Sequence, residues 1–225
     1  MAVRSYGQYC GLARAMDMVG ERWALLVIRD LVVGPKRFSD LHRGLPRIPT
    51  NILTTRLRQL EGDGVIARRL LPRPSSAVVY ELTDYGRDLE EIVMRLGRWG
   101  ARSLTEPASG EIVTAASLVV ALRSTFCAEA ARRLRVGYEI HLGDVAVHAR
   151  VDRGRLEAGE GPLAGADLVI EASPAIRALF AGELSPGDAI ESGAVRIQGP
   201  PELLDRFVEV FHIPAAPAPP GTPAA

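Results

Sequence analysis

The fold of the N-terminal half is decided by residues 34–64, GPKRFSDLHRGLPRIPTNILTTRLRQLEGDG. Gly34-Pro35 ends a preceding helix, and a short helix is predicted over 38–43 with Ser39 as its N-cap. After a tight connection, a longer helix is predicted over 50–63. Its leucines recur at spacings of four and three residues, so they share one buried face. These leucines are Leu53, Leu57 and Leu60.

Helical periodicity also precedes this stretch, in residues 10–19 and 21–33. The buried face predicted for the second of these helices consists of Trp23, Leu26, Val27 and Leu31. On the other side, the segments 65–71 and 77–82 favour strands, and the five residues 72–76 between them suit the tip of a hairpin. This order of helices and strands is that of a winged helix-turn-helix.

The last helix of this half has a predicted N-cap at Thr83. It carries an apolar seam with spacings of three, four and three residues, which is typical of a helix that packs on another helix. The seam consists of Leu89, Ile92, Leu96 and Trp99. Because few apolar residues remain in this half to cover the seam, we expect the equivalent helix of a second subunit to cover it.

The net charge of zero conceals an uneven distribution of charge. Residues 1–104 hold 17 basic and 11 acidic side chains, whereas residues 105–225 hold 10 and 16. The window 36–73 has nine basic residues against three acidic ones, which accounts for the basic excess of the first half. Such local density is what neutralisation of nucleic-acid phosphates requires. The acidic second half predicts a module with a different partner.

The exposed face of the 50–63 helix carries side chains suited to reading bases. In a winged helix-turn-helix this helix enters the major groove, which is about 12 Å wide. Asn and Arg can each make two hydrogen bonds to one base, and a threonine methyl can contact thymine. The candidates are Thr50, Asn51, Thr54, Thr55 and Arg58. We therefore expect double-stranded DNA as the partner.

Residues 10–104 resemble the HxlR-type family of bacterial transcription regulators, because five motifs occur in the family's order and spacing. The motifs are residues 10–23, 25–31, 34–41, 53–64 and 80–86. The resemblance implies a cytoplasmic homodimer, paired through terminal helices, that binds a palindromic operator with two recognition helices and two wings. We expect a repressor, with activation left open. The resemblance also implies that further side chains lie near the DNA backbone: Arg37, Ser39, Arg73, Ser75 and Ser76.

Cys10 matches the cysteine that opens the family's N-terminal motif. In some members this thiol senses oxidants or electrophiles, and such chemistry depends on a lowered thiol pKa. Cys10 is therefore a candidate thiol sensor. The alternative is a cysteine that only packs at the start of the first helix.

The second half predicts an α+β module, an antiparallel sheet covered by helices on one face. A long helix over 111–135 is followed by a hairpin around Gly143-Asp144, whose two-residue turn places Leu142 opposite Val145. Ser173-Pro174 is the predicted N-terminus of a later helix. The further strands are predicted over 155–158, 168–172 and 194–198, and the further helices over 175–181, after Ser185-Pro186, and over 202–211.

Four apolar motifs in this half resemble sterol-carrier-protein-like domains: residues 167–174, 179–186, 189–199 and 203–207. The resemblance covers about 112–213 and implies an apolar, often lipid-like ligand between sheet and helices. The side chains expected to line that pocket are Tyr138, Ile140, Val147, Phe180 and Phe207. The alternative is that they form the ordinary core of a module that stabilises a dimer.

The remaining features exclude several classes of function. His141 and His148 lie near Glu139 but lack the ligand spacing of a zinc site, and no nucleophile with a matching base is found. We therefore expect no metal, no cofactor and no enzymatic activity. No apolar run approaches the about 20 residues of a membrane span. Two cysteines form no disulfide framework, which indicates a reducing cytoplasm.

The sequence thus predicts a DNA-binding and dimerisation domain over 1–104, a linker over 105–110, a ligand-binding domain over 111–213 and a disordered Pro/Ala tail over 214–225. The expected function is a dimeric transcription regulator modulated by a small apolar effector. The alternative is a carrier of lipids or hydrophobic metabolites whose winged helix serves dimerisation or protein contacts.

Overall fold

The computed structural model describes residues 5–105, 107–173 and 176–213. The chain divides into two compact units, up to Val93 and from Met94, and each unit is described by itself. This division lies within a helix, whereas the linker predicted over 105–110 comes later in the chain. The tail at 214–225 and Pro174 of the predicted Ser173-Pro174 cap lie outside the described residues. None of the described helices is long and apolar enough to cross a membrane.

The first unit has the predicted order of a winged helix-turn-helix. Its elements are α1 (Gly11–Val19), α2 (Ala24–Val33), α3 (Phe38–Gly44), α4 (Thr50–Gly62), β1 (Ile66–Leu70), β2 (Val78–Leu82), α5 (Asp84–Arg87) and the start of α6 (Leu89–Ala101). Strands β1 and β2 pair antiparallel, with Ile66 opposite Leu82. The backbone of Lys36 exchanges two hydrogen bonds with that of Tyr80, at 3.0 and 2.8 Å. These bonds fix the hairpin, or wing, against the segment that leads into α3.

The core of this unit confirms the predicted leucine face of α4, since its three leucines are at most 2% exposed. On α2, the prediction that Leu26 is buried is wrong, because Leu26 is 43% exposed and Ile28 is buried. Trp23 has a φ of 82°, which is not helical, so α2 begins only at Ala24. The prediction counts the helix from residue 21, and it therefore places Leu26 on the buried face in error. The buried residues of α2 then follow the i, i+3, i+4, i+7 pattern of one helix face. They include Ala24, Val27, Ile28 and Leu31.

Two predicted helix starts have different outcomes. Ser39 is not the N-cap of α3, because Arg37 occupies the cap position and its backbone N–H donates to Asp40 Oδ2 at 3.1 Å. Thr83 does cap α5, where its Oγ1 accepts a hydrogen bond from the Gly86 N–H at 3.0 Å. The single helix predicted after Thr83 is interrupted after α5. A Cβ at Gly86 would lie 2.0 Å from the Val65 carbonyl oxygen, so only glycine fits where α5 crosses the start of the wing.

The second unit is a five-stranded sheet with helices. After α6, its elements are α7 (Ala115–Thr125), β3 (Arg135–Leu142), β4 (Val145–Asp152), β5 (Arg155–Glu160), β6 (Leu168–Ala172), α8 (Ile176–Phe180), α9 (Pro186–Glu191), β7 (Val195–Gln198) and α10 (Glu202–Val210). The strand order is β5-β4-β3-β6-β7. The hairpin register is confirmed, with Leu142 opposite Val145. The prediction of a purely antiparallel sheet is wrong, because β3 and β6 are parallel.

The parallel pair arises from the connection between β5 and β6. Strand β5 lies at one edge beside β4, and β6 lies on the other side of β3, so the chain must pass β3 before it pairs again. Glu139 Oε2 accepts the Leu163 N–H at 2.6 Å, and Asp167 Oδ2 accepts the Gly137 N–H at 2.7 Å. These two bonds tie the crossing segment to β3.

The long helix predicted over 111–135 is wrong at both ends, because α7 spans only Ala115–Thr125. Phe126 is extended and forms a bridge with Phe211, and the Cys127 N–H donates to the Val210 carbonyl at 2.7 Å. The backbone that would continue the helix therefore bonds to the end of α10 instead. The apolar residues around Cys127 in the sequence predict that this cysteine packs in the core, and this prediction is wrong because Cys127 is exposed.

Candidate nucleic-acid interface

Helix α4 separates an apolar face from a polar one. Its leucines lie in the core, while Thr50, Asn51 and Arg58 are exposed and Thr54 and Thr55 are partly exposed. The five predicted base-reading side chains thus lie outside the core on one element that is itself fixed by the burial of its other face. A helix held in this way can place several side chains in a groove at once.

The threonine hydroxyls of α4 are oriented by the helix itself. Thr54 Oγ1 donates to the Thr50 carbonyl at 2.9 Å, and Thr55 Oγ1 donates to the Asn51 carbonyl at 2.8 Å. Each hydroxyl proton is therefore used, while the oxygen still has lone pairs that can accept hydrogen bonds. Such side chains can accept a bond from a base amine or offer a methyl to thymine.

The basic residues of the 36–73 window do not all have the same surroundings. Arg56 Nη2 lies 3.0 Å from Glu21 Oε2, and Arg69 makes two bonds of 2.8 Å to Glu81. The side-chain hydrogen bond from Arg69 also holds the pKa of Glu81 below its ordinary value. The positive charge of these two arginines is therefore balanced within the fold.

Arg58 and Arg73 differ from those two arginines. Both are exposed, and neither side chain forms an ion pair or hydrogen bond with any residue in the described part of the chain. Arg58 lies on the polar face of α4 and Arg73 at the tip of the wing. These two guanidinium groups are accordingly available to an anionic partner.

Two predicted backbone-contacting residues are joined by a hydrogen bond. Arg37 Nη2 donates to Ser75 Oγ at 3.0 Å, which links the start of α3 to the wing tip. Ser39 lies exposed in the first turn of α3, and Ser76 is exposed on the wing with a φ of 45°. The structure thus brings Arg37 and Ser75 together on one side of the unit.

The sequence reasoning missed His42. Its Nε2 lies 3.4 Å from Thr50 Oγ1, and its ring stacks on Phe38 with the ring centroids 6.3 Å apart. His42 thus connects α3 to the first residue of α4. The signal in the sequence was its position four residues after Phe38, which puts both rings on one side of α3.

Cys10 occupies the N-cap position of α1 and is exposed. The backbone N–H groups of Ala13 and then Leu12, in the first turn of α1, lower the pKa of the thiol. A helix N-terminus stabilises a thiolate because its first N–H groups have no partner within the helix. Access and a lowered pKa are the two conditions for a reactive thiol.

The predicted seam on α6 is largely exposed. Ile92, Leu96 and Trp99 are 54%, 46% and 69% exposed, whereas Leu89 packs against the core of the first unit. These three side chains follow spacings of four and three residues, so they lie on one side of the helix. An apolar helix face of this kind in contact with water is a typical subunit interface.

The five residues predicted to line an apolar pocket lie in the core of the second unit. The ring centroids of Tyr138 and Phe207 are 5.1 Å apart, and those of Phe180 and Phe207 are 5.5 Å apart. Ile140 and Val147 are fully buried beside each other in the sheet. The Tyr138 hydroxyl is buried without a hydrogen-bond partner among the described residues, and burial raises its pKa.

Comparison with known proteins gives matches to transcription regulators. The sequence model of the HxlR-like helix-turn-helix family matches residues 18–107. The chain is 34% identical over 93 residues to the uncharacterized HTH-type transcriptional regulator YdeP of Bacillus subtilis (strain 168), covering 41% of this chain and 73% of YdeP. It is 40% identical over 89 residues to the uncharacterized HTH-type transcriptional regulator YtcD of the same strain, covering 40% and 71%. A solved structure, the reduced form of the transcriptional regulator YodB from B. subtilis, is similar at 29% identity and a TM-score of 0.38, covering 45% of this chain and 100% of that one.

Proposed function

Because this chain belongs to the HxlR-like helix-turn-helix family of transcription regulators, we propose that it acts in the cytoplasm as a homodimer on a palindromic operator. Helix α4 of each subunit lies in the major groove, and each wing tip contacts the flanking backbone. The observation that carries the proposal is the polar face of α4, opposite the buried leucines, where Arg58 has no partner among the residues that the structure describes. Repression follows if the operator overlaps a promoter.

The same proposal assigns separate roles to two groups of side chains in the N-terminal unit. Arg37, Ser39, Arg73, Ser75 and Ser76 contact phosphates, and the Arg37–Ser75 hydrogen bond holds two of these groups in place before DNA arrives. Such contacts fix the register of the protein on the duplex, while Asn51, Thr54, Thr55 and Arg58 read bases.

The exposed seam of α6 supports the homodimer. Ile92, Leu96 and Trp99 of one subunit pack on the same residues of the other, which removes three large apolar side chains from water. Two recognition helices then face successive major grooves, about 34 Å apart along the duplex.

Operator binding is expected to weaken as salt concentration rises. The logarithm of the association constant falls linearly with the logarithm of the salt concentration, by about 0.9 per neutralised phosphate. Replacing Arg73 with alanine should make the slope shallower by about one for each subunit in contact with DNA. Fluorescence anisotropy of a labelled operator across a salt series measures both slopes.

The matched control is the double replacement of Arg69 and Glu81 with alanine. It removes an internally balanced pair and leaves the net charge unchanged, so the salt slope should stay that of the unaltered protein. A flat salt dependence of the unaltered protein would contradict the assignment of the 36–73 window to phosphates.

Cys10 is proposed as an additional, redox-sensing element of the regulator. With Cys127 replaced by serine, the rate of Cys10 alkylation by iodoacetamide should rise with pH through a midpoint below the ordinary thiol value of about 8.5. The same protein should lose operator affinity after peroxide treatment and regain it after reduction. If Cys10→Ser protein still responds to peroxide, Cys10 is not the sensor.

We also propose that the second unit binds a small apolar effector that changes operator affinity. The aromatic group of Tyr138, Phe180 and Phe207 supports an apolar ligand, and the Tyr138 hydroxyl supports a ligand with one polar group, because that hydroxyl has no partner within the described residues. Linkage requires that effector and operator change each other's affinity by the same factor, which titrations in both orders test.

A further inference from the structure

A row of ionisable side chains crosses three neighbouring strands of the second unit. His141 on β3 lies opposite Glu171 on β6, and Glu171 lies opposite Arg196 on β7. These residues alternate along their strands with the buried Ile140, Ile170 and Val195, so they project from the other face of the sheet. The row is therefore separated by the sheet from the aromatic group described above.

The row borders a groove of about 370 Å³. Because β3 and β6 are parallel, their carboxyl ends meet at one edge of the sheet, and the groove lies there. Its other lining residues are small, which leaves space beside the three ionisable side chains. They are Gly143, Ala172, Ser173, Gly193 and Ala194.

Glu171 and Arg196 are opposite in charge and in register, yet no ion pair joins them. Neither side chain has a hydrogen bond or ion pair with any other residue that the structure describes. Elsewhere in the same sheet, the directly opposed Arg135 and Asp152 do bond, with Arg135 Nε 2.7 Å from Asp152 Oδ1. The groove therefore presents one carboxylate and one guanidinium that are both available to a ligand.

The third side chain of the row is held in place. His141 Nε2 lies 2.6 Å from Glu139 Oε1, and Glu139 Oε2 accepts the Leu163 N–H at 2.6 Å. These bonds fix the imidazole at the edge of the groove, with its side chain 33% exposed. A fixed polar group lowers the ordering cost of binding a ligand.

From this arrangement we propose that the groove binds a small zwitterion of the free α-amino-acid class. The ligand carboxylate pairs with the Arg196 guanidinium, whose planar fork suits a carboxylate, and the ligand ammonium pairs with Glu171. His141 supplies a further polar contact. A role of this ligand as an effector rests on the proposed regulator function. Binding of the ligand to the groove does not depend on DNA.

Isothermal titration calorimetry of the full chain against each proteinogenic L-amino acid tests the proposal. At least one should bind saturably, and the related carboxylic acid and amine, which each lack one of the two charges, should bind at least about tenfold more weakly. Arg196→Gln and Glu171→Gln should each weaken binding of that amino acid by a similar factor. Arg150→Gln changes an exposed arginine of β4 that does not line the groove and should leave the affinity unchanged.

Three outcomes would overturn the proposal. The first is that no amino acid binds saturably up to about 10 mM, a concentration above what useful recognition requires. The second is that Arg196→Gln protein binds the amino acid as tightly as the unaltered protein does. The third is that the singly charged analogues bind the unaltered protein as tightly as the amino acid does. Circular dichroism and melting temperature of each variant establish that it is folded. Operator binding measured without amino acid reports separately on the regulator function, so the two failures are distinguishable.

Discussion

Ile92→Asp protein is expected to be a monomer that binds the operator at least about 100-fold more weakly than the unaltered protein. Ile92 is the first residue of the exposed seam of α6, and a carboxylate there would be buried without a partner in the proposed dimer. Once the subunits separate, each half-site is bound on its own and the advantage of linked binding is lost. Analytical ultracentrifugation measures the mass, and anisotropy titration measures the affinity.

Gly97→Asp provides the matched control for this change. It adds the same charge to α6, on the side away from the seam, where a Cβ meets no other atom within 4 Å. This variant should stay dimeric and keep most of its operator affinity. A dimeric Ile92→Asp protein would place the subunit interface elsewhere.

Arg58→Ala protein should lose about 1–3 kcal/mol of operator binding, or about 5- to 150-fold in affinity, and should tolerate changes at one base pair of each half-site. The physical reason is that Arg58 is an exposed arginine of α4 without a partner in the described residues, so its guanidinium is free to make two bonds to one guanine. Competition titration with single-substituted operators measures the affinity and the altered preference.

Arg87→Ala is the control for Arg58→Ala. Arg87 lies on α5, outside the 36–73 window, and its ion pair with Asp84 is local to that helix. Its loss should change operator affinity by less than about threefold, since exposed local ion pairs contribute little. A uniform loss over all operators in Arg58→Ala protein would assign Arg58 to a phosphate instead of a base.

Much of the first unit was predictable because its signals are local. The leucine spacing on α4 determines which side of the helix is buried. Thr83 accepts a hydrogen bond from the N–H of Gly86, which lies only three residues further along the chain, in the first turn of α5. The error at Leu26 has a different origin. It depends on the left-handed conformation of Trp23, which shifts the start of α2 and which no periodicity in the sequence reports.

The candidate DNA interface was predictable as a set of residue types, whereas their pairing was not. Nothing in the sequence distinguishes Arg56, Arg58 and Arg69 from one another. In the structure Glu21 pairs with Arg56 and Glu81 with Arg69, whereas Arg58 has no partner in the described part of the chain. Glu21 is 35 residues from Arg56 along the chain, so only the packing of the helices brings the two together.

The sequence by itself determined the order of helices and strands, the polar face of α4, the register of the β3–β4 hairpin and the family of the N-terminal half. Each follows from residues a few positions apart or from motifs in a fixed order. The tertiary structure alone decided the parallel pairing of β3 with β6 and the end of α7 at Thr125. It also decided the row of His141, Glu171 and Arg196. The reason is that these features depend on hydrogen bonds between segments 25 to 85 residues apart, and the geometry of such bonds is set only when the sheet has formed.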